Sequence, residues 1–204
     1  MLPHDEDNRV DGRRLRGEKT RRAIVLALLD LIEEGNPAPP AREIADRAGI
    51  AIRSIRQHFT TREEILLAVA EEHAGRLGAA RVEIADDVPL GERIERFTQA
   101  RARELEASAP MRQAGALQEH YSDTVVRAVR ATARARRRDV AHVFEMELTR
   151  VAPAERKLVL DALDAASAGR TWDAMRRDAG LSAAAAQSTM RALITAMLES
   201  RQRK

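Results

Sequence analysis

The sequence predicts an all-α protein, and three observations carry that reading. Apolar residues make up 44% of the 204 and are dominated by Ala and Leu, while the aromatic residues that favour strands are only 2%. From Glu18 onward apolar side chains recur at spacings of three and four, the period of a helix face. The strongest breakers, among them Gly35, Pro110, Pro153, Gly169 and Gly180, fall between these periodic stretches.

The elements follow in order. Met1 to about Arg16 is acidic, then basic, and lacks periodicity, so a flexible arm is expected over 1–16. Ile24, Leu28 and Leu31, flanked by Val25, Leu29 and Ile32, define an amphipathic helix over 18–34. Gly35 ends it, and Asn36-Pro37-Ala38-Pro39-Pro40 cannot continue it. A short helix over 41–48 starts after Pro40, Gly49 supplies a turn, and a second short helix runs from Ile52 to Phe59. Thr61-Arg62-Glu63-Glu64 is a capping box that opens a longer helix through Ile65, Leu66, Val69, His73 and Leu77. Beyond Pro89 the rhythm predicts helices near 89–107, 111–120, 122–150, 154–169, 171–179 and 182–201.

Composition excludes several classes of function. A net charge of +3 says little about nucleic acid, but its distribution says more: Arg53, Arg56 and Arg62 lie in a stretch without acids. With no cysteine, there is no disulfide framework, thiolate nucleophile or Cys-ligated metal. The polar stretch Met1–Gly17 lacks a signal-peptide core, and the longest apolar run, Ala23–Leu29, is too short to span a bilayer. These points imply a cytoplasmic protein with no membrane partner. His4, His58, His73, His120 and His142 are scattered, and His142 with Glu145 is a surface pair, so neither a metal nor a cofactor site is expected.

The informative stretch is Ala41–Phe59: two short helices joined at Gly49, with Ala45 small where they approach and Ile44, Ala48, Ile50 and Ile55 spaced as a miniature core. That is the pattern of a helix-turn-helix, whose first helix braces the backbone while the second enters the major groove. The match is longer than the motif. Ile24-Val25-x-Ala27, Gly35, Ile44-Ala45-x-x-Ala48-Gly49-Ile50, Ile55, His58-Phe59 and Thr61-Arg62-Glu63-x-Ile65-Leu66 resemble the DNA-binding domain of the TetR/AcrR family in order and spacing, over roughly 18–72. Three positions depart from the family pattern. Ala51 replaces a capping Ser or Thr, Arg53 a frequent Gly, and Arg56 a phosphate-contacting Tyr.

The resemblance implies an arm over 1–16, a helix-turn-helix domain over 17–61 and a helical effector-binding and dimerisation domain over 62–204. It implies roles too. Arg42 reaches DNA from the first helix; Arg53 and Gln57 read bases, since Arg bonds guanine and Gln adenine bidentately. Ser54, Arg56, His58 and Arg62 hold the sugar-phosphate backbone, and Arg13, Arg14 and Arg16 are placed for an adjacent minor groove. The partners expected are double-stranded operator DNA, a second copy of the chain and a small-molecule effector that releases a repressor from its operator.

In the C-terminal part, Ala186, Met190, Leu193, Ile194 and Met197 form one stripe, and Leu158, Ala162, Leu163 and Ala166 another. The resemblance makes them the seam of an intermolecular four-helix bundle, while a core of the monomer is the alternative. Phe97, Met111, Leu117, Tyr121, Phe144 and Trp172, the scarce large side chains, are candidates for lining an effector pocket, although such residues are more often plain core. Arg127, Arg130, Arg134, Arg137 and Arg138 read as the solvated face of an amphipathic helix. No catalytic residues are assigned. A helical enzyme or an adaptor bundle without DNA binding is the alternative, and neither a phosphate loop nor a His-Glu-x-x-His supports it.

Overall fold

The structure, a computed structural model, describes residues 4–78, 84–85 and 87–202, with side chains for 14–76, 84–85 and 87–199. Among these residues every regular element is helical, and no helix is long and apolar enough to cross a membrane. The chain groups into two compact units, Met1–Ala79 with Gln113–Val126, and Ala80–Arg112 with Arg127–Lys204. This grouping differs from the division expected at residue 61, because the helix that follows the helix-turn-helix packs back on the first helix.

In the first unit, α1 (His4–Glu33) packs against α2 (Ala41–Ala48), α3 (Ile52–His58) and α4 (Arg62–Gly78). Ile24, Leu28, Leu29 and Ile32 of α1 are essentially fully buried, as are Ile44 of α2 and Val69 of α4. The helix begins at His4, well before the expected start. From Arg14 to Arg22 it has no buried residue: Leu15 is 55% exposed, and Arg14 reaches Glu18 one turn on at 3.2 Å. A stretch held by local helical geometry leaves no apolar period to read. Arg13 lies outside the residues whose side chains are described. At the other end, Gly35 takes a φ of 94°, and the amides of Gly35 and Asn36 donate back to Ile32 and Leu31. This satisfies carbonyls that the helix would otherwise leave open.

The second unit contains α5 (Leu90–Ala107), most of α7 (Asp123–Val143), α8 (Glu145–Arg150), α9 (Pro153–Ala166), α10 (Gly169–Asp173) and α11 (Ala183–Gln202), while α6 (Ala109–Glu119) begins in it and ends in the first unit. Its core joins Ile94, Phe97 and Leu105 of α5 to Val140, Phe144 and Leu148, to Val159 and Leu163, and to Trp172, Met190 and Ile194. The Phe97 and Phe144 rings meet edge to face, 5.2 Å apart.

Two differences from the expected helices have physical causes. The single helix expected over 122–150 breaks at Phe144, whose backbone leaves the helical region (φ −110°, ψ 24°) and whose ring is fully buried in the core. The helix expected over 154–169 ends at Ala166, and Gly169, expected as a terminator, instead opens α10. A Cβ on Gly169 would stand 2.8 Å from Arg112 Cδ, so its role is to admit that side chain. Arg112 in turn grips both carboxylate oxygens of Asp173 (2.5 and 3.1 Å), the Leu105 carbonyl and Ser108 Oγ (2.7 Å each). After α10 the chain widens into one π-turn, Ala174–Asp178, before Gly180 reverses it with a φ of 65°.

Candidate nucleic-acid interface

The α2–α3 corner is built as its sequence requires. Gly49 closes α2 in the left-handed region (φ 66°), and the Ile50 amide donates to the Ala45 carbonyl at 3.0 Å. A side chain at Gly49 would be strained by that dihedral. Ala51 offers no capping side chain, as expected, and α3 opens with the Ser54 amide donating to the Ala51 carbonyl (2.8 Å). Ile55 and Phe59, four apart, are buried and fix the inner face of α3. The opposite face is therefore determined: Arg53, Arg56 and Gln57 are exposed, with Ser54 and His58 half-buried on its flanks, and Ile52 is exposed in the first turn. Arg42 is exposed on α2 and comes no closer than 3.8 Å to Asp46. The corner thus presents cations and one carboxamide, with every acid on its outer face confined to α2.

Several contacts hold α3 in place, and sequence reasoning missed most of them. Arg21 of α1 donates from Nη1 to the carbonyl of His58 (3.0 Å) and lies 4.1 Å over the Phe59 ring. A cation at the last turn of a helix meets the negative end of its dipole, and the ring adds a cation–π attraction. In the sequence Arg21 is one basic residue among many near α1, and no local pattern marks it. Arg47 forks onto Glu34 with bonds of 2.7 and 2.8 Å, tying α2 to the end of α1. That hydrogen-bonded pairing holds the Glu34 carboxyl below its ordinary range and raises the Arg47 guanidinium. The capping box forms: Glu64 N–H donates to Thr61 Oγ1 (3.2 Å), and the Glu64 carboxylate accepts from the Thr60 amide (2.7 Å).

Arg62 departs from its expected placement. It donates from Nη1 to the Pro39 carbonyl at 3.0 Å, and its Nη2 is buried. Pro39 is buried too, so Arg62 braces the linker before α2 instead of standing free for a phosphate. Arg14 and Arg16, exposed on the early turns of α1, are part of a helix and not of an irregular arm.

The residues expected to line an effector pocket do not form one set. Phe97, Phe144 and Trp172 are buried in the core of the second unit, and Met111 is half-buried there. The Trp172 indole donates to Glu106 (2.7 Å), a carboxylate that Arg176 also grips from Nε at 2.9 Å. Leu117 and Tyr121 belong to the first unit and stand 48% and 80% exposed. Tyr121 follows the end of α6 and stands edge-on to His120. An open groove of 630 Å³ between α1 and α4 is lined by Arg21, Arg22, Val25, Ala68 and Arg76 among others, and contains none of the six.

The proposed subunit stripes divide. Leu163, Ala166, Ala186, Met190 and Ile194 are core residues of the second unit, so their side chains are unavailable to a partner. Ala162 and Met197 are half-buried, and Leu158 and Leu193 remain 61% and 39% exposed. The monomer's own packing therefore takes the inner half of each stripe and leaves the outer half open.

No family model and no curated protein matches the chain. Solved structures do match it. A transcriptional regulator from Rhodococcus sp. Rha1 aligns with a TM-score of 0.67 at 20% identity, covering 88% of this chain and 96% of that one. A TetR-family transcriptional regulator from Streptomyces coelicolor aligns with a TM-score of 0.71 at 19% identity, covering 91% and 83%. With both alignments covering most of the chain, it has the fold of a TetR-family transcriptional regulator.

Proposed function

We propose that the chain is a sequence-specific DNA-binding regulator of transcription in the TetR family. The observation that carries the reading is the exposed face of α3, where Arg53, Arg56 and Gln57 stand together on a helix braced by Arg21 and by the Gly49 turn. A helix so presented suits the major groove, with Arg53 and Gln57 as base readers and Arg42, Ser54, Arg56 and His58 as contacts to the backbone. Two copies are required to grip two half-sites, and exposed Leu158 and Leu193 support pairing through α9 and α11. Repression relieved by a small-molecule effector bound in the second unit completes the reading and rests on the fold likeness.

The test is selection of bound duplexes from a random-sequence library, followed by gel shifts of the enriched sequence at several salt concentrations. Arg53→Ala and Gln57→Ala should each weaken binding by about 1–3 kcal/mol and relax preference at particular base pairs. Arg56→Ala should weaken all sequences alike and flatten the salt dependence. Failure to enrich any sequence would overturn the reading.

A further inference from the structure

Ile52 is a large aliphatic side chain left 54% exposed in the first turn of α3, the helix that also exposes Arg53, Arg56 and Gln57. With a helical advance of about 100° per residue, Ile52 and Arg56 stand one turn apart on neighbouring lines. Ala51 beside it is exposed as well and carries only a methyl group. The exposed surface of α3 is thus divided. One edge offers cations and a carboxamide, and the other offers hydrocarbon with no hydrogen-bonding group. Ile52 precedes Ile55 by three residues and Phe59 by seven, on their line of the helix, yet those two are buried while more than half of Ile52 stays exposed.

We infer that Ile52 is a specificity-determining residue that selects thymine by contact with its C5 methyl group in the major groove. The inference rests on the proposal that α3 enters DNA. The flanking arginines supply the charge complementarity that would hold this hydrocarbon edge against the floor of a phosphate-lined groove. Of the groups displayed there, only the thymine methyl is apolar, so an aliphatic side chain distinguishes thymine from the other three bases.

The experiment uses the full-length protein and the duplex enriched from a random library. Each thymine in turn is replaced by deoxyuridine, which removes the methyl group and leaves all hydrogen bonds intact. At one or two positions per half-site the wild-type protein should lose about four- to tenfold in affinity, the loss expected for one uncovered methyl contact. Ile52→Ala should bind the thymine duplex correspondingly more weakly and show no further loss on deoxyuridine at those positions. Ile52→Val should fall between. Both variants change an exposed side chain, and an unaltered circular dichroism spectrum and unfolding midpoint confirm that they fold. If an enriched duplex shows no methyl-dependent position, or if that dependence survives in Ile52→Ala, the inference is overturned while the DNA-binding reading stands. If no duplex is enriched, both fall together.

Discussion

Gly169→Ala separates helix propensity from tertiary packing, because the two predict opposite signs. On propensity alone, alanine near the start of α10 should stabilise by about 0.5–1 kcal/mol, since glycine loses more backbone freedom on folding. The structure places the new Cβ 2.8 Å from Arg112 Cδ and 3.0 Å from its Nε, where ordinary contact begins near 3.4 Å, so the side chain must retreat by about 0.6 Å. Arg112 cannot do this freely. Its guanidinium makes four bonds, two to Asp173 and one each to the Leu105 carbonyl and Ser108 Oγ. Overpacking against a held group costs about 1–3 kcal/mol. Net destabilisation of about 1–2 kcal/mol is expected, a fall in unfolding midpoint of about 3–6 °C for a chain of this size. The assay is thermal unfolding of a double-mutant cycle with Arg112→Ala. In that background the obstruction is gone, so Gly169→Ala should be neutral or stabilising. Stabilisation in the wild type, or equal effects in both backgrounds, would refute the steric argument.

Three further outcomes are expected. Arg21→Met keeps the aliphatic stem but removes the bond to His58 and the cation over Phe59; it should weaken binding of every duplex by about 1 kcal/mol without changing sequence preference, read by gel shift. The Glu106 carboxyl is held below its ordinary value of 4.5, first by the hydrogen-bonded Arg176 guanidinium and then by the Trp172 indole. A carboxylate depressed in this way contributes stability above its unfolded value and loses it as pH falls through the folded one, so Glu106→Gln should be less stable near neutrality and should flatten the acid limb of urea midpoints measured between about pH 3 and 7. Leu193→Glu, at an exposed position, should leave the chain folded but abolish the proposed dimer in sedimentation, because a charge in a buried seam lacks a partner; a persisting dimer would remove this part of α11 from the interface.

The sequence by itself determined what is local. The all-α class, the Gly49 corner, the capping box at Thr61 and the buried pair Ile55 and Phe59 follow from helix period, backbone freedom and capping chemistry, each confined to a few neighbouring residues. From the burial of Ile55 and Phe59 the exposure of Arg53, Arg56 and Gln57 follows as well, since a helix has only one remaining face. Tertiary structure decided everything that depends on residues far apart in the chain. Arg21 reaches His58 across 37 positions, and Arg62 turns to Pro39 across 23. Arg112 meets Asp173 across 61 and requires the glycine at 169. The break at Phe144 carries no glycine or proline to announce it, and its ring packs edge to face on Phe97, 47 positions earlier. An apolar stripe likewise fixes that one side of α11 is covered, but period alone does not say by what. Packing against α5 and α9 assigned Met190 and Ile194 to the monomer and left Leu193 outside, because a side chain can fill only one of two competing interfaces.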